Sequence, residues 1–177
     1  MKFLLIVSAV VLCIVFLAVF LSYRRNLYLF SEVQGTVTQN GKPVPGVKLH
    51  QSVNWAWGQK EFTFETVADA DGKFIFHPIL AHSFFAGIVP AEIDIKQTLR
   101  INHEGANYDG WMYNKSDYNN LSELITGEVS LNLTCELTTK KDHFGDNSPI
   151  DAKSSPSEKD TAYGICRIAP PSGTVVE

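Results

Sequence analysis

Between Val47 and Gly58 the chain alternates with a period of two. Val47, Leu49, Gln51, Val53, Trp55 and Trp57 lie on one side, with Lys48, His50, Ser52, Asn54, Ala56 and Gly58 on the other. Successive strand residues point to opposite faces, so this pattern sets one face against a core and the other against water. The pattern recurs. Val33, Gly35 and Val37 alternate with Gln34, Thr36 and Thr38, and "EFTFETVA" and "KFIFHPI" read as aromatic-rich strands. Ile93, Ile95, Leu99 and Ile101 oppose Asp94, Lys96, Thr98, Arg100 and Asn102, and "NYDGWMY" is expected to pair with them. Val129, Leu131, Leu133, Cys135 and Leu137 alternate with Ser130, Asn132, Thr134 and Glu136. About seven or eight short strands, punctuated by Gly, Asn, Asp and Pro, predict an all-β fold, an antiparallel β-sandwich. No amphipathic helix of useful length competes.

The N-terminus is different. Phe3 to Leu21 is apolar apart from Ser8, and as a helix it would span about 28 Å, close to a bilayer's hydrocarbon thickness. The expected segments are a transmembrane anchor with its basic flank over 1–25, a β-sandwich over 26–138, and a polar, largely disordered tail over 139–177. A cleaved signal peptide is the competing reading, but no A-x-A-like site follows and "SYRRNLYLF" presents bulky and charged residues. Lys2 on one flank and Arg24 with Arg25 on the other nearly balance the positive-inside rule. The short N-terminal tail and the cysteine pair beyond the anchor favour a bacterial inner-membrane protein whose domain faces the periplasm. Residues 26–177 carry 12 Lys plus Arg and all 19 Asp plus Glu, a net charge of −7. No basic stripe interleaved with aromatics is present, which disfavours nucleic acid as a partner.

"GTVTQNGKPVPGVKL" followed by "TVADADGKFIF" resembles the carboxypeptidase regulatory-like, or transthyretin-like, β-sandwich domain. Gly35, Val37, Gly41, Pro43, Val44, Gly46, Val47, Asp71, Gly72 and Phe74 match its pattern of G-x-V, G-x-P-V-x-G-V and a T-x-x-D-G-x-F turn. The whole chain also looks like an uncharacterised family of small bacterial membrane-anchored proteins. The first resemblance implies a scaffold fold rather than an activity. It also implies that Asp71-Gly72 is a tight hairpin turn and not the start of a calcium loop, for which Lys73, Ile75 and Phe76 supply no ligands. Hydroxyisourate hydrolases share that fold but end in Tyr-Arg-Gly-Ser, where this chain ends in "SGTVVE".

Residues that would carry catalysis are not evident, and no enzyme activity or cofactor is expected. His50, His77, His82, His103 and His143 form no recognisable zinc-ligand pair, although His77 and His82 flank "PILA". Neither a G-x-S-x-G elbow nor a phosphate-cradling loop occurs. Cys135 and Cys166 either form a disulfide that fastens the "YGICRIA" island to the last strand, or Cys135 is a core thiol. Trp55, Trp57 and Trp111 are either core or an aromatic platform for a protein or carbohydrate partner. The connection "HPILAHSFFAGIVPAE", with His82, Phe84, Phe85 and Ile88, either covers a sheet edge or forms a contact patch. These features together lead to the expectation of a membrane-anchored binding module with a protein partner. An immunity protein that neutralises a periplasm-delivered toxin is one concrete form. An envelope carbohydrate-binding module is the alternative, and a transthyretin-like hydrolase is less favoured.

Overall fold

The computed structural model describes residues 7–8, 10–17, 26–83, 86, 92–123, 130–139 and 162–169. Residues 7–8 and 10–17 are helical. Among the described residues no helix is long and apolar enough to cross a membrane. The rest of the expected Phe3–Leu21 span lies outside the described residues, as does most of 139–177.

Eleven strands follow among the described residues. They are β1 (Asn26–Phe30), β2 (Val33–Gln39), β3 (Lys42–Pro43), β4 (Lys48–Trp55), β5 (Lys60–Val67), β6 (Lys73–Phe76), β7 (Ile79–His82), β8 (Ile95–His103), β9 (Ala106–Lys115), β10 (Leu131–Glu136) and β11 (Cys166–Ile168). One sheet has the order β5-β4-β8-β9. A second has the order β11-β10-β2-β3, with β6 sharing the β3 side of β2, and β1 pairs with β7 in a small third sheet. The inward faces supply one hydrophobic cluster, including Val33, Val37, Leu49, Val53, Leu99, Ile101, Leu131 and Leu133. The all-β, sandwich-like architecture follows from the alternation.

Three local expectations are corrected. The sheets are not wholly antiparallel, because β10 pairs with β2 in parallel, Leu131 opposite Val33 through Glu136 opposite Thr38. Parallel neighbours need a long crossover, and here the whole four-stranded sheet lies between the two strands in sequence. "KFIFHPI" is two strands in different sheets, since β6 joins β2 and β7 joins β1. Proline has no N–H for a ladder, and Pro78 sits between them. The Asp71-Gly72 turn is not a hairpin either, because β5 pairs with β4 whereas β6 pairs with β2. It is an arch between sheets. Asp69 Oδ1 accepts from the Asp71 and Lys73 amides at 2.9 and 2.8 Å, which commits that oxygen to the backbone.

The glycine motif now has a cause. Gly35 lies opposite Phe74, and a Cβ on Gly35 would meet Leu133 O at 2.3 Å and the Phe74 ring at 2.8 Å. The aromatic ring covers the backbone that glycine leaves bare. Asn40 and Gly41 both have positive φ, 53° and 73°, and turn β2 into β3, the geometry a two-residue hairpin favours.

The ordered fold extends beyond the expected boundary at 138. Tyr163 bridges Met112 on the open edge of β9, with both backbone hydrogen bonds formed. β11 pairs with β10, and Cys166 is disulfide-bonded to Cys135. Residues 162–169 therefore form a strap from one large sheet to the other. Gly164 is required there, because a Cβ would meet Gly110 O at 2.2 Å. Gly110 is itself the extra residue of the β-bulge between β8 and β9.

Candidate functional site

The most concentrated polar chemistry among the described residues is enclosed. Lys115, the last residue of β9, is 1% exposed, and Glu123 lies in the following turn with its side chain fully buried. Lys115 Nζ is 3.1 Å from Glu123 Oε2 and donates to Asn119 O at 2.6 Å. The Ser31 hydroxyl donates to Glu123 Oε2 at 2.7 Å, and the Ser31 amide to Oε1 at 3.1 Å. Gln97 Nε2 donates to Glu123 Oε1 at 2.7 Å and to Leu29 O at 2.9 Å. The Leu121 amide completes the knot by donating to Ser31 Oγ at 2.8 Å.

Each carboxylate oxygen thus receives two hydrogen bonds. That compensation is what a buried ion pair requires, because removing one partner leaves an uncompensated charge at a cost of about 3–5 kcal/mol. The network joins the β1–β2 junction, β8, β9 and the turn at 116–123. Its residues were not singled out in the sequence, although the signal was there. Gln97 falls between Ile95 and Leu99 on the inward face, and Lys115 continues the inward parity of Trp111 and Tyr113.

A second carboxylate is held at the surface. Glu136 accepts from the amides of Asn40, Gly41 and Thr138 at 2.8, 3.0 and 3.1 Å, and from the hydroxyls of Thr38 and Thr138. Partial desolvation works to raise its pKa. The hydrogen bonds from the Thr138 hydroxyl and the Gly41, Thr138 and Asn40 amides outweigh it and lower the pKa from 4.5 to about 2. Glu136 therefore fastens the β2–β3 turn to β10.

The anticipated contact residues do not converge. Trp55 is 4% exposed, with Nε1 donating to the Tyr118 hydroxyl at 3.2 Å and the two rings edge-to-face. Trp111 is 1% exposed. Neither can offer a ring face to a partner, so their place among the contact candidates is corrected to core: both lie on the inward parity of their strands. Trp57 is 38% exposed in the turn after β4. His82 is exposed at the end of β7, and Phe84, Phe85 and Ile88 lie outside the described residues. His82 is the last residue of β7, and His77 precedes that strand, before Pro78. Among the described residues no three His, Cys, Asp or Glu side chains cluster as a metal site.

Two surfaces remain. The outward face of the four-stranded sheet is polar, with Glu65, His50, Arg100 and Asp109 in register across β5, β4, β8 and β9. His50 Nδ1 lies 3.0 Å from Glu65 and Arg100 Nε 3.8 Å from Asp109. Thr63, Ser52, Thr98 and Met112 form the adjacent row. The other surface is β5, the outermost strand of its sheet among the described residues, where Phe64 is 49% and Val67 56% exposed.

A cleft of about 500 Å³ near the start of β8 is lined by Glu92, Ile93, Asp94, Lys96, Asn114 and Ser116. Its charges are mixed, Lys96 lying 4.0 Å from Asp94.

No curated protein and no solved structure matches the chain. A family model, described as a domain of unknown function (DUF6795), matches residues 33–140, from the first residue of β2 to just past β10. With more than half of its length inside that match, the chain belongs to the DUF6795 family.

Proposed function

We propose that the protein is a binding module that recognises a protein partner through β5 and the adjoining polar sheet face. The observation that carries this reading is the unpaired edge of β5, eight residues long among the described residues, with Phe64 half exposed on it. An edge strand presents unpaired N–H and C=O groups that a partner strand can complete, while exposed side chains set specificity. The net charge of −7 on residues 26–177 favours a basic partner.

In its concrete form, the module is held by the N-terminal apolar run at the outer face of a bacterial inner membrane. There it acts as an immunity protein against a toxin delivered to the periplasm. The carboxypeptidase regulatory-like resemblance is part of this reading, supported by the Gly35–Phe74 pairing. The carbohydrate alternative loses support with Trp55 and Trp111 in the core. Phe64 lies opposite Gln51 on the inward side of β5 and is half exposed, so Phe64→Lys places a charge at the open rim of that face. It should abolish in-cell crosslinking to the partner and sensitise cells to the toxin encoded beside the gene. Undiminished crosslinking and protection would sink the β5 interface.

A further inference from the structure

The geometry points to a self-generated amide crosslink between Lys115 and Gln97, formed with Glu123 as the proton shuttle. Register places Gln97 opposite Tyr113 and Lys115 opposite Ile95, so the two are diagonal neighbours on the inward face of adjacent strands. Gln97 is 1% exposed, Lys115 1% and Glu123 6%, and the site is therefore shielded from water. The carboxylate bridges the reacting groups, with Oε2 on the Lys115 nitrogen at 3.1 Å and Oε1 on the Gln97 nitrogen at 2.7 Å.

The orientation of the carboxamide is fixed. Leu29 O and Glu123 Oε1 are both acceptors, so the nitrogen must face them. Gln97 Oε1 is then buried with no hydrogen-bond partner. A lysine ammonium has three donors, and Lys115 Nζ has two acceptors among the described residues, Asn119 O and Glu123 Oε2. The spare donor and the orphan acceptor belong to one enclosed cluster, in which Glu123 is the group that touches both side chains.

The step balances. Glu123 Oε2 takes a proton from the Lys115 ammonium, and the freed amine attacks Gln97 Cδ. The Nζ–Cδ bond forms and the Cδ–Nε2 bond breaks as protons pass from Nζ through the carboxylate to Nε2. Ammonia leaves and Glu123 retains one proton. The product is a neutral secondary amide beside a neutral carboxylic acid. A buried ion pair, with its desolvation cost, is thereby replaced by uncharged groups. Fixed placement of both reactants substitutes for the entropy of an intermolecular encounter.

Intact mass of the purified full chain, denatured and reduced, tests this directly. The crosslinked chain will be about 17 Da lighter than its sequence, one ammonia, with fragmentation joining peptides that contain residues 97 and 115. Lys115→Arg keeps the positive charge and cannot form the bond, so its mass should be unshifted, as should that of Glu123→Gln. Should either variant fail to fold, the mass of the natural chain still decides. An unshifted natural chain overturns the crosslink. A loss of about 18 Da, one water, would instead identify a Lys115–Glu123 amide and overturn the assignment to Gln97.

Discussion

Replacing Cys135 and Cys166 together by alanine removes the covalent fastening of the C-terminal strap while leaving its hydrogen bonds available. The disulfide closes a loop with a sequence separation of 31. Constraining a loop of that length restricts the unfolded chain by about 3–4 kcal/mol on the chain-entropy account. Both cysteines are fully buried, and the retained β-carbons limit further loss from packing. For a domain of this size each kcal/mol corresponds to about 3–4 °C in Tm, so a fall of about 10–15 °C is expected. Thermal unfolding followed by circular dichroism, with the oxidised natural chain and a reduced sample in parallel, measures it. Hydrogen exchange supplies the local readout. The amides of Tyr163 and Ile165, bonded to Met112 O and Asp109 O, should exchange faster, while those within β4 and β8 keep more of their protection. An unchanged Tm with Tyr163 and Ile165 still protected would refute the reasoning, because backbone pairing alone would then hold the strap.

Glu136 gives a pH signature. Its folded pKa, about 2, lies below the ordinary 4.5, so its contribution is fully present above about pH 4.5 and is lost as pH falls towards 2. The group is solvent-accessible, and screening reduces that contribution to about 1 kcal/mol. The stabilities of the natural chain and Glu136→Gln should therefore converge between pH 5 and pH 2 in urea titrations; parallel profiles would count against the turn-fastening role. Gln51 presents the opposite case, since it is fully buried and both side-chain polar atoms lack partners. Gln51→Met conserves volume and removes that penalty, with an expected gain of about 1 kcal/mol in chemical denaturation. A loss of comparable size would mean that Gln51 is bonded in solution.

Much of the fold was legible because the two faces of a strand have different neighbours. The alternation at Val47–Trp55 fixed β4 and its inward face, and that at Ile95–Ile101 fixed β8. The Asn40-Gly41 turn was legible because its backbone needs positive φ. The splitting of "KFIFHPI" was not, since alternation reports a strand and says nothing of which sheet it joins. The strap at 162–169 was legible only as the "YGICRIA" island that a disulfide could fasten to the last strand; its bridge to β9 was not, because a single residue pair distant in sequence leaves no local pattern.

The enclosed network marks the same division. Sequence alone determined an all-β chain, its main strands and the candidate cysteine pair, because backbone stereochemistry and period-two burial are local. Only tertiary structure determined that Ser31, Gln97, Lys115 and Glu123 meet, that Trp55 and Trp111 are core, and that β10 lies parallel to β2. Those relations depend on sheet order and register, which bring residues such as Ser31 and Glu123, 92 positions apart, within hydrogen-bond distance. A lone lysine, glutamine or serine carries no periodic trace of the partner it will find across the core.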